Sequence, residues 1–192
     1  MKEFVDLRSD TVTRPGIEMR KAMSYADVGD DVIGEDPTVN KLERTVAEML
    51  GMEAGLFVAS GTQSNLLALF SHCERGDEYI AGQSAHSYLE EGGGGAILAS
   101  LQPQPLPNLP DGTLSIEAIR SVIKPDDFHF ARTRLLCLEN TWHGKPLPLA
   151  YLQEASNLAQ EHNLTLHLDG ARLFNAAVKQ GIEALSICQN FD

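Results

Sequence analysis

The sequence predicts an α/β fold with a mostly parallel sheet and helices on both faces. Short apolar runs at Leu56–Ala59, Glu78–Ala81, Leu135–Leu138 and Leu164–Leu168 read as strands. Between them lie stretches with a helical apolar period, and brief glycine-bearing turns join the two kinds of segment. Alternation of this kind makes parallel crossover units, whose sheet must be covered on both sides.

Residues 1–35 read as an irregular arm holding Pro15, Gly16, Gly29 and Gly34, with one short helical stretch at Ile17–Met23. Asp36 is a good N-cap, and Pro37 suits the first helical position. Val39, Leu42, Val46, Met49 and Leu50 then share one helical stripe that Gly51 can end. After Leu56–Ala59, Ser60-Gly61-Thr62 opens a helix bearing Leu66, Leu67, Leu69 and Phe70, closed by Gly76. A four-glycine run, Gly92 to Gly95, reads as a flexible loop or a place of close backbone approach. Pro103, Pro105, Pro107 and Pro110 imply a stiff connector that is neither helix nor central strand. Helices are expected from Ser115 to Ile123, around Leu149, Leu152, Ala155 and Leu158, and from Arg172 to Gly181. No internal repeat and no clear second domain is visible, so residues 36–192 read as one large domain.

The chain has 192 residues, 43% of them apolar, which is enough for a core without covalent staples. Lys plus Arg is 15 and Asp plus Glu is 27, a net charge of −12. That balance argues against general nucleic-acid or anionic-membrane binding, while allowing a local basic pocket for a small anion. Cys73, Cys137 and Cys188 are scattered among apolar neighbours, so reduced buried thiols are expected rather than disulfides or a zinc site. No apolar run is long enough to span a membrane, and the polar start MKEFVDLRSD does not resemble a signal peptide. A cytoplasmic, soluble protein is the expectation.

Ligands of such sheets bind at the carboxyl ends of the strands. Two turns there carry chemistry. Ser60-Gly61-Thr62-Gln63-Ser64-Asn65 offers free helix-start amides and hydroxyls to a phosphate; the competing reading is a plain N-cap. It is neither a Walker loop nor a dinucleotide fingerprint. In His167-Leu168-Asp169-Gly170-Ala171-Arg172, the carboxylate of Asp169 can hold a positively charged ligand group. Arg172 stands where the helix dipole disfavours a cation, which suggests an anion-binding task. Alternatively Asp169 is a cap and Arg172 merely solvated, or His167 and Asp169, two apart on a strand, share a metal. His86, beyond a strand, is a candidate for stacking or acid–base work. His129, between Phe128 and Phe130, reads equally well as a packed residue. A phosphate turn, a strand-end carboxylate and a nearby arginine together suit pyridoxal 5'-phosphate.

The chain resembles the N-terminal part of the low-specificity L-threonine aldolases, fold-type I (aspartate aminotransferase-like) pyridoxal phosphate enzymes. The likeness runs from Val5 to Asp192. It rests on Asp6–Pro15, Gly29–Val32, Asp36–Asn40, Ser60–Asn65, His86, Leu138–Thr141 and His167–Arg172, a combination far more specific than any one of its parts. The resemblance implies that Gly61 and Thr62 contact the cofactor phosphate. It implies that His86 stacks on the ring and also acts as a base, and that Asp169 partners the ring nitrogen. Arg172 corresponds to a residue at the cofactor and substrate carboxylate, with Ser9 beside it. His129 corresponds to a histidine near the substrate hydroxyl, and Glu91 to an active-site loop carboxylate. The family reaction is retro-aldol cleavage of L-threonine or L-allo-threonine to glycine and acetaldehyde. Its members are homo-oligomers, dimers or tetramers, with sites at subunit boundaries.

The sequence departs from the family at Trp142-His143, where relatives carry a His-Asn pair, and at Glu90, where they carry an aromatic. None of the six lysines (Lys2, Lys21, Lys41, Lys124, Lys145 and Lys179) has the Ser-Lys-Gly setting of the family's Schiff-base lysine. The small C-terminal domain is absent as well. A different type I lyase, or a non-catalytic remnant, are the competing readings.

Overall fold

In the computed structural model, which describes residues 4–192, four parallel strands form one sheet. They are β1 (Glu78–Gly82), β2 (Gln102–Leu106), β3 (Thr133–Glu139) and β4 (Thr165–Asp169), in the order β2-β1-β3-β4. Ile80 lies beside both Gln104 and Leu136, and Glu139 lies beside Asp169.

Alternate strand residues feed two cores, because successive side chains leave a strand on opposite faces. Ile80, Leu136, Leu138 and Leu166 pack on α6 (Ile116–Val122), α7 (Leu149–Glu161), α8 (Leu173–Gln180) and α9 (Ala184–Cys188). Tyr79, Ala81, Leu135 and Cys137 face Leu69 of α3 (Gly61–His72), together with Ala85, Ala99 and Leu101. Each fully buried leucine contributes about 1.5–3 kcal/mol, so this two-sided sheet holds the site rigidly.

The sequence signals for capping act as expected. Asp36 accepts the amides of Thr38 and Val39, each at 2.9 Å, at the start of α2 (Pro37–Leu50), and Gly51 ends it at φ 70°. Ser60 Oγ accepts the Gln63 amide at 3.1 Å at the start of α3. The close of α3 is an exception: the helix ends at His72 with Cys73 as its cap, and Gly76 takes φ 90° in the turn before β1.

One of these expectations is corrected and two are sharpened. Leu56–Ala59 is not a strand: Leu56 and Phe57 are 74% and 54% exposed, and no strand lies beside them. The segment is held instead by side chains, with Phe57 N donating to Glu43 Oε1 and Ala59 N to Gln63 Oε1. The proline-rich connector contains β2, an edge strand. Gln102 N donates to Asp77 O and Leu106 O accepts from Gln83 N, so the even positions face β1. Pro103 and Pro105 therefore point their missing N–H groups to the open edge, where the ladder loses nothing. Within the glycine run, Gly94 begins a helical turn, α5 (Gly94–Ile97), and Gly95 is buried. A Cβ on Gly95 would lie 3.0 Å from Leu69 and 3.2 Å from the Tyr79 hydroxyl, so close approach explains that glycine.

Residues 4–35 bury no residue; they contain α1 (Ile17–Ser24) and two short 3₁₀ turns. No described helix is long and apolar enough to cross a membrane.

Candidate active site

The carboxyl ends of β3 and β4 bring Glu139 and Asp169 side by side. Parallel register makes this unavoidable, since both strands end at that edge. Asp169 is pinned at three points: its carbonyl accepts the Asn140 amide at 2.9 Å, Oδ1 accepts the Ala171 amide at 3.1 Å, and Oδ2 accepts Asn65 Nδ2 at 2.8 Å. Across the end of β1, His86 opens α4 (His86–Leu89), and its amide donates to Glu139 Oε2 at 2.8 Å. The His86 ring meets Glu91 Oε1 through Nδ1 at 3.0 Å. Glu91 is 4% exposed and also accepts Asn65 Nδ2, at 2.8 Å. Polar atoms of His86, Glu91 and Asp169 all lie within 4.8 Å of one another.

The electrostatics follow from these contacts. The bond to Glu91 raises the His86 pKa, against partial burial. Burial raises the Glu139 carboxyl and pushes His167 down to about 4, so His167 is neutral at physiological pH. The metal pair considered for His167 and Asp169 does not form, because His167 Nε2 is turned to Asn65 Oδ1 at 2.9 Å.

Gly61 and Thr62 start α3, one turn before Asn65, so they share its face. Their amides have no acceptor among the described residues, and a Cβ at Gly61 would meet nothing within 4 Å. An open groove of about 350 Å³, lined by Leu42, Phe57, Ser60, Gly61 and Ser64, adjoins that helix start. An anion is thus offered free donors and room. Arg172 stands just before α8 and donates from Nε and Nη2 to Asp10 of the arm, at 2.8 and 2.7 Å. This bidentate pair raises Arg172 and lowers Asp10. Ser9, next to Asp10, caps the first 3₁₀ turn by accepting the Thr11 amide at 3.2 Å.

His129 is not brought to this cluster within the chain. It lies in the loop entering the amino end of β3, the opposite end of the sheet, where it is exposed and bonded to Asp127 at 2.6 Å. No lysine among the described residues bonds to the cluster. Lys21 pairs with Glu18, Lys124 with buried Glu78, and Lys145 with the Pro110 carbonyl.

Three residues without an assigned role in the sequence reading prove central: Asn65, Glu139 and Asp10. Asn65 was findable from its place one turn beyond Gly61. Glu139 and Asp10 carried no such signal, because strand register and arm docking are tertiary facts.

The donor set fits pyridoxal phosphate: free helix-start amides for a phosphate, a pinned carboxylate for a cationic ring nitrogen, and an imidazole nearby. Comparisons with known proteins agree with that chemistry. A family model described as beta-eliminating lyase matches residues 6–192. The low-specificity L-threonine aldolase of Escherichia coli K12 is 58% identical over 98% of this chain and 57% of its own length. The Saccharomyces cerevisiae low-specificity L-threonine aldolase is 43% identical over 97% of this chain and 49% of its own. The solved threonine aldolase of Leishmania major superposes with a TM-score of 0.76 at 27% identity, covering 91% of this chain and 52% of that one. The chain thus spans about half the length of the curated relatives it matches.

Proposed function

The chain belongs to the beta-eliminating lyase family, and from that premise we propose that the complete protein is a pyridoxal 5'-phosphate-dependent aldolase. Its substrates would be L-threonine and L-allo-threonine, cleaved to glycine and acetaldehyde. The observation that carries this reading is the convergence of His86, Glu91 and Asp169 within 4.8 Å at the carboxyl ends of the strands.

Bound there, the cofactor supplies an electron sink for the pair released when a bond at the amino acid Cα breaks. The chain's own residues do the rest. Amides of Gly61 and Thr62, with the Thr62 hydroxyl, hold the phosphate. The Asp169 carboxylate accepts the ring N–H. His86 would stack on the ring; with Nδ1 engaged by Glu91, Nε2 is the atom free to take the proton of the substrate hydroxyl. Arg172 spends Nε and Nη2 on Asp10, which leaves Nη1 for the substrate carboxylate, with Ser9 beside it.

Residues 1–35 are read as the arm and residues 36–192 as part of the cofactor-binding large domain. The lysine that ties the cofactor to the protein, and a small second domain, are assigned to sequence following residue 192. His129, remote from Asp169 in its own chain, would meet the substrate hydroxyl only from a neighbouring chain, so a cytoplasmic homo-oligomer, dimer or tetramer, is the assembly proposed.

The test is incubation of the complete protein with the cofactor and L-threonine, with acetaldehyde measured by coupled NADH oxidation. Acetaldehyde and glycine in equal amounts support the reading. Ammonia and 2-oxobutanoate in their place would assign a β-elimination, the chemistry named by the family description.

A further inference from the structure

We propose that Asn65 is a positioning residue that sets the site's two carboxylates, with His167 holding its amide the right way round. The proposal rests on the cofactor reading above. Asn65 is buried in α3 and commits both amide hydrogens and its amide oxygen in one place. Its Nδ2 lies 2.8 Å from Glu91 Oε1 and 2.8 Å from Asp169 Oδ2, and its Oδ1 lies 2.9 Å from His167 Nε2.

The orientation is decided by chemistry. Carboxylate oxygens accept, so the NH₂ must face them, one hydrogen each. The amide oxygen then faces His167, whose Nε2 must carry a proton. A partly buried, uncharged imidazole meets that need as the Nε2–H tautomer. The consequences reach both partners. Asp169 has Oδ1 on the Ala171 amide and Oδ2 on Asn65, so its plane is fixed while each oxygen keeps a further lone pair for a cofactor N–H. Glu91 is held where Oε1 can also accept His86 Nδ1. Other charged or titratable groups face this cluster: Glu139 from β3, Arg172 before α8, and Tyr79 and Cys137 from the sheet beneath. None supplies a donor between the two carboxylates.

The discriminating variant is Asn65→Asp in the complete protein. Ionised, the introduced carboxyl has no hydrogen for either neighbour and adds a third negative charge. Protonated, it can still donate once and accept from His167, and its neighbours favour that form. Pyridoxal phosphate affinity is measured from pH 6 to 8.5 on protein shown folded by near-ultraviolet circular dichroism. The Kd of the variant, divided by that of the parent, should rise about tenfold across this range. A ratio that stays flat overturns the proposal, since a purely structural role would weaken binding equally at every pH. If the variant does not fold, ¹⁵N-histidine NMR of the cofactor-free parent decides. One neutral Nε2–H histidine between pH 5.5 and 8, lost in His167→Gln, supports the assignment; His167 charged or in the Nδ1–H form overturns it. Failure of the parent to bind pyridoxal phosphate would remove the cofactor reading instead, and the NMR result would still judge the amide orientation.

Discussion

Asp169 is held by backbone and side-chain donors that fix the plane of its carboxylate. Asp169→Asn keeps the shape while removing the charge that a cationic ring nitrogen needs. In the complete protein this variant should lower aldolase kcat/KM by at least about 100-fold with the melting temperature little changed. Unchanged turnover and unchanged cofactor absorbance would take Asp169 out of its role. His167 makes a pH prediction at the same scale. Its folded pKa, about 4, lies below the ordinary 6.5. Its contribution is therefore fully present above pH 6.5 and is lost as pH falls through 4. The loss is on the order of 3 kcal/mol at full protonation. His167→Gln retains a donor for Asn65 and cannot charge, so its melting temperature should fall less than the parent's between pH 7 and 4.5. Parallel curves would show that His167 is not titrating in the buried form.

Among the elements, the arm is tied to the sheet domain through Asp10 and Arg172 while burying no residue. An attachment made of a bidentate ion pair and little apolar area contributes more to a site than to stability. Deleting residues 1–14 from the complete protein should raise KM for threonine and reduce turnover, because Ser9 and Asp10 leave the Arg172 side. The melting temperature should move by no more than a few degrees. A deletion that only destabilises, with kinetics per folded molecule intact, would make the arm structural.

For the whole molecule, the position of His129 decides how sites are built. It stands at the amino end of β3, whereas Asp169 ends β4 at the other edge of the sheet. If sites are shared, His129→Ala and Asp169→Asn are complementary. Co-refolding the two inactive proteins in equal amounts should restore about a quarter of parental activity, one good site of two in each mixed pair, and mixed pairs are half of all pairs. No recovery would place His129 outside the site altogether. Residues 1–192 alone should show no aldolase turnover, since none of the described lysines bonds to the cluster and Lys21, Lys124 and Lys145 are engaged elsewhere. Borohydride reduction with pyridoxal phosphate, followed by mass spectrometry, checks this; a reduced adduct on one specific lysine of the chain would contradict it.

Helix boundaries were legible because their causes are local. Asp36, Ser60 and Ser115 cap the amides that follow them, and Gly51 and Gly181 end helices in the left-handed region. The motif turns were legible for the same reason: Gly61, Thr62, Asp169 and Arg172 stand within a residue or two of an element's end. Leu56–Ala59 was misread because an apolar run becomes a strand only with a partner, and no strand is placed beside it. The prolines of β2 hid an edge strand because only strand order shows which N–H groups are dispensable. Asn65 bridging Glu91 and Asp169, residues 26 and 104 positions away, depends on how α3 lies across the strand ends. By itself, then, the sequence determined the capped helix ends, the two-faced sheet and the residue kinds at each strand end, all of which follow from neighbours a few residues apart. Tertiary structure alone decided which of those residues meet, because hydrogen bonds between elements are made by packing and register rather than by proximity in the chain.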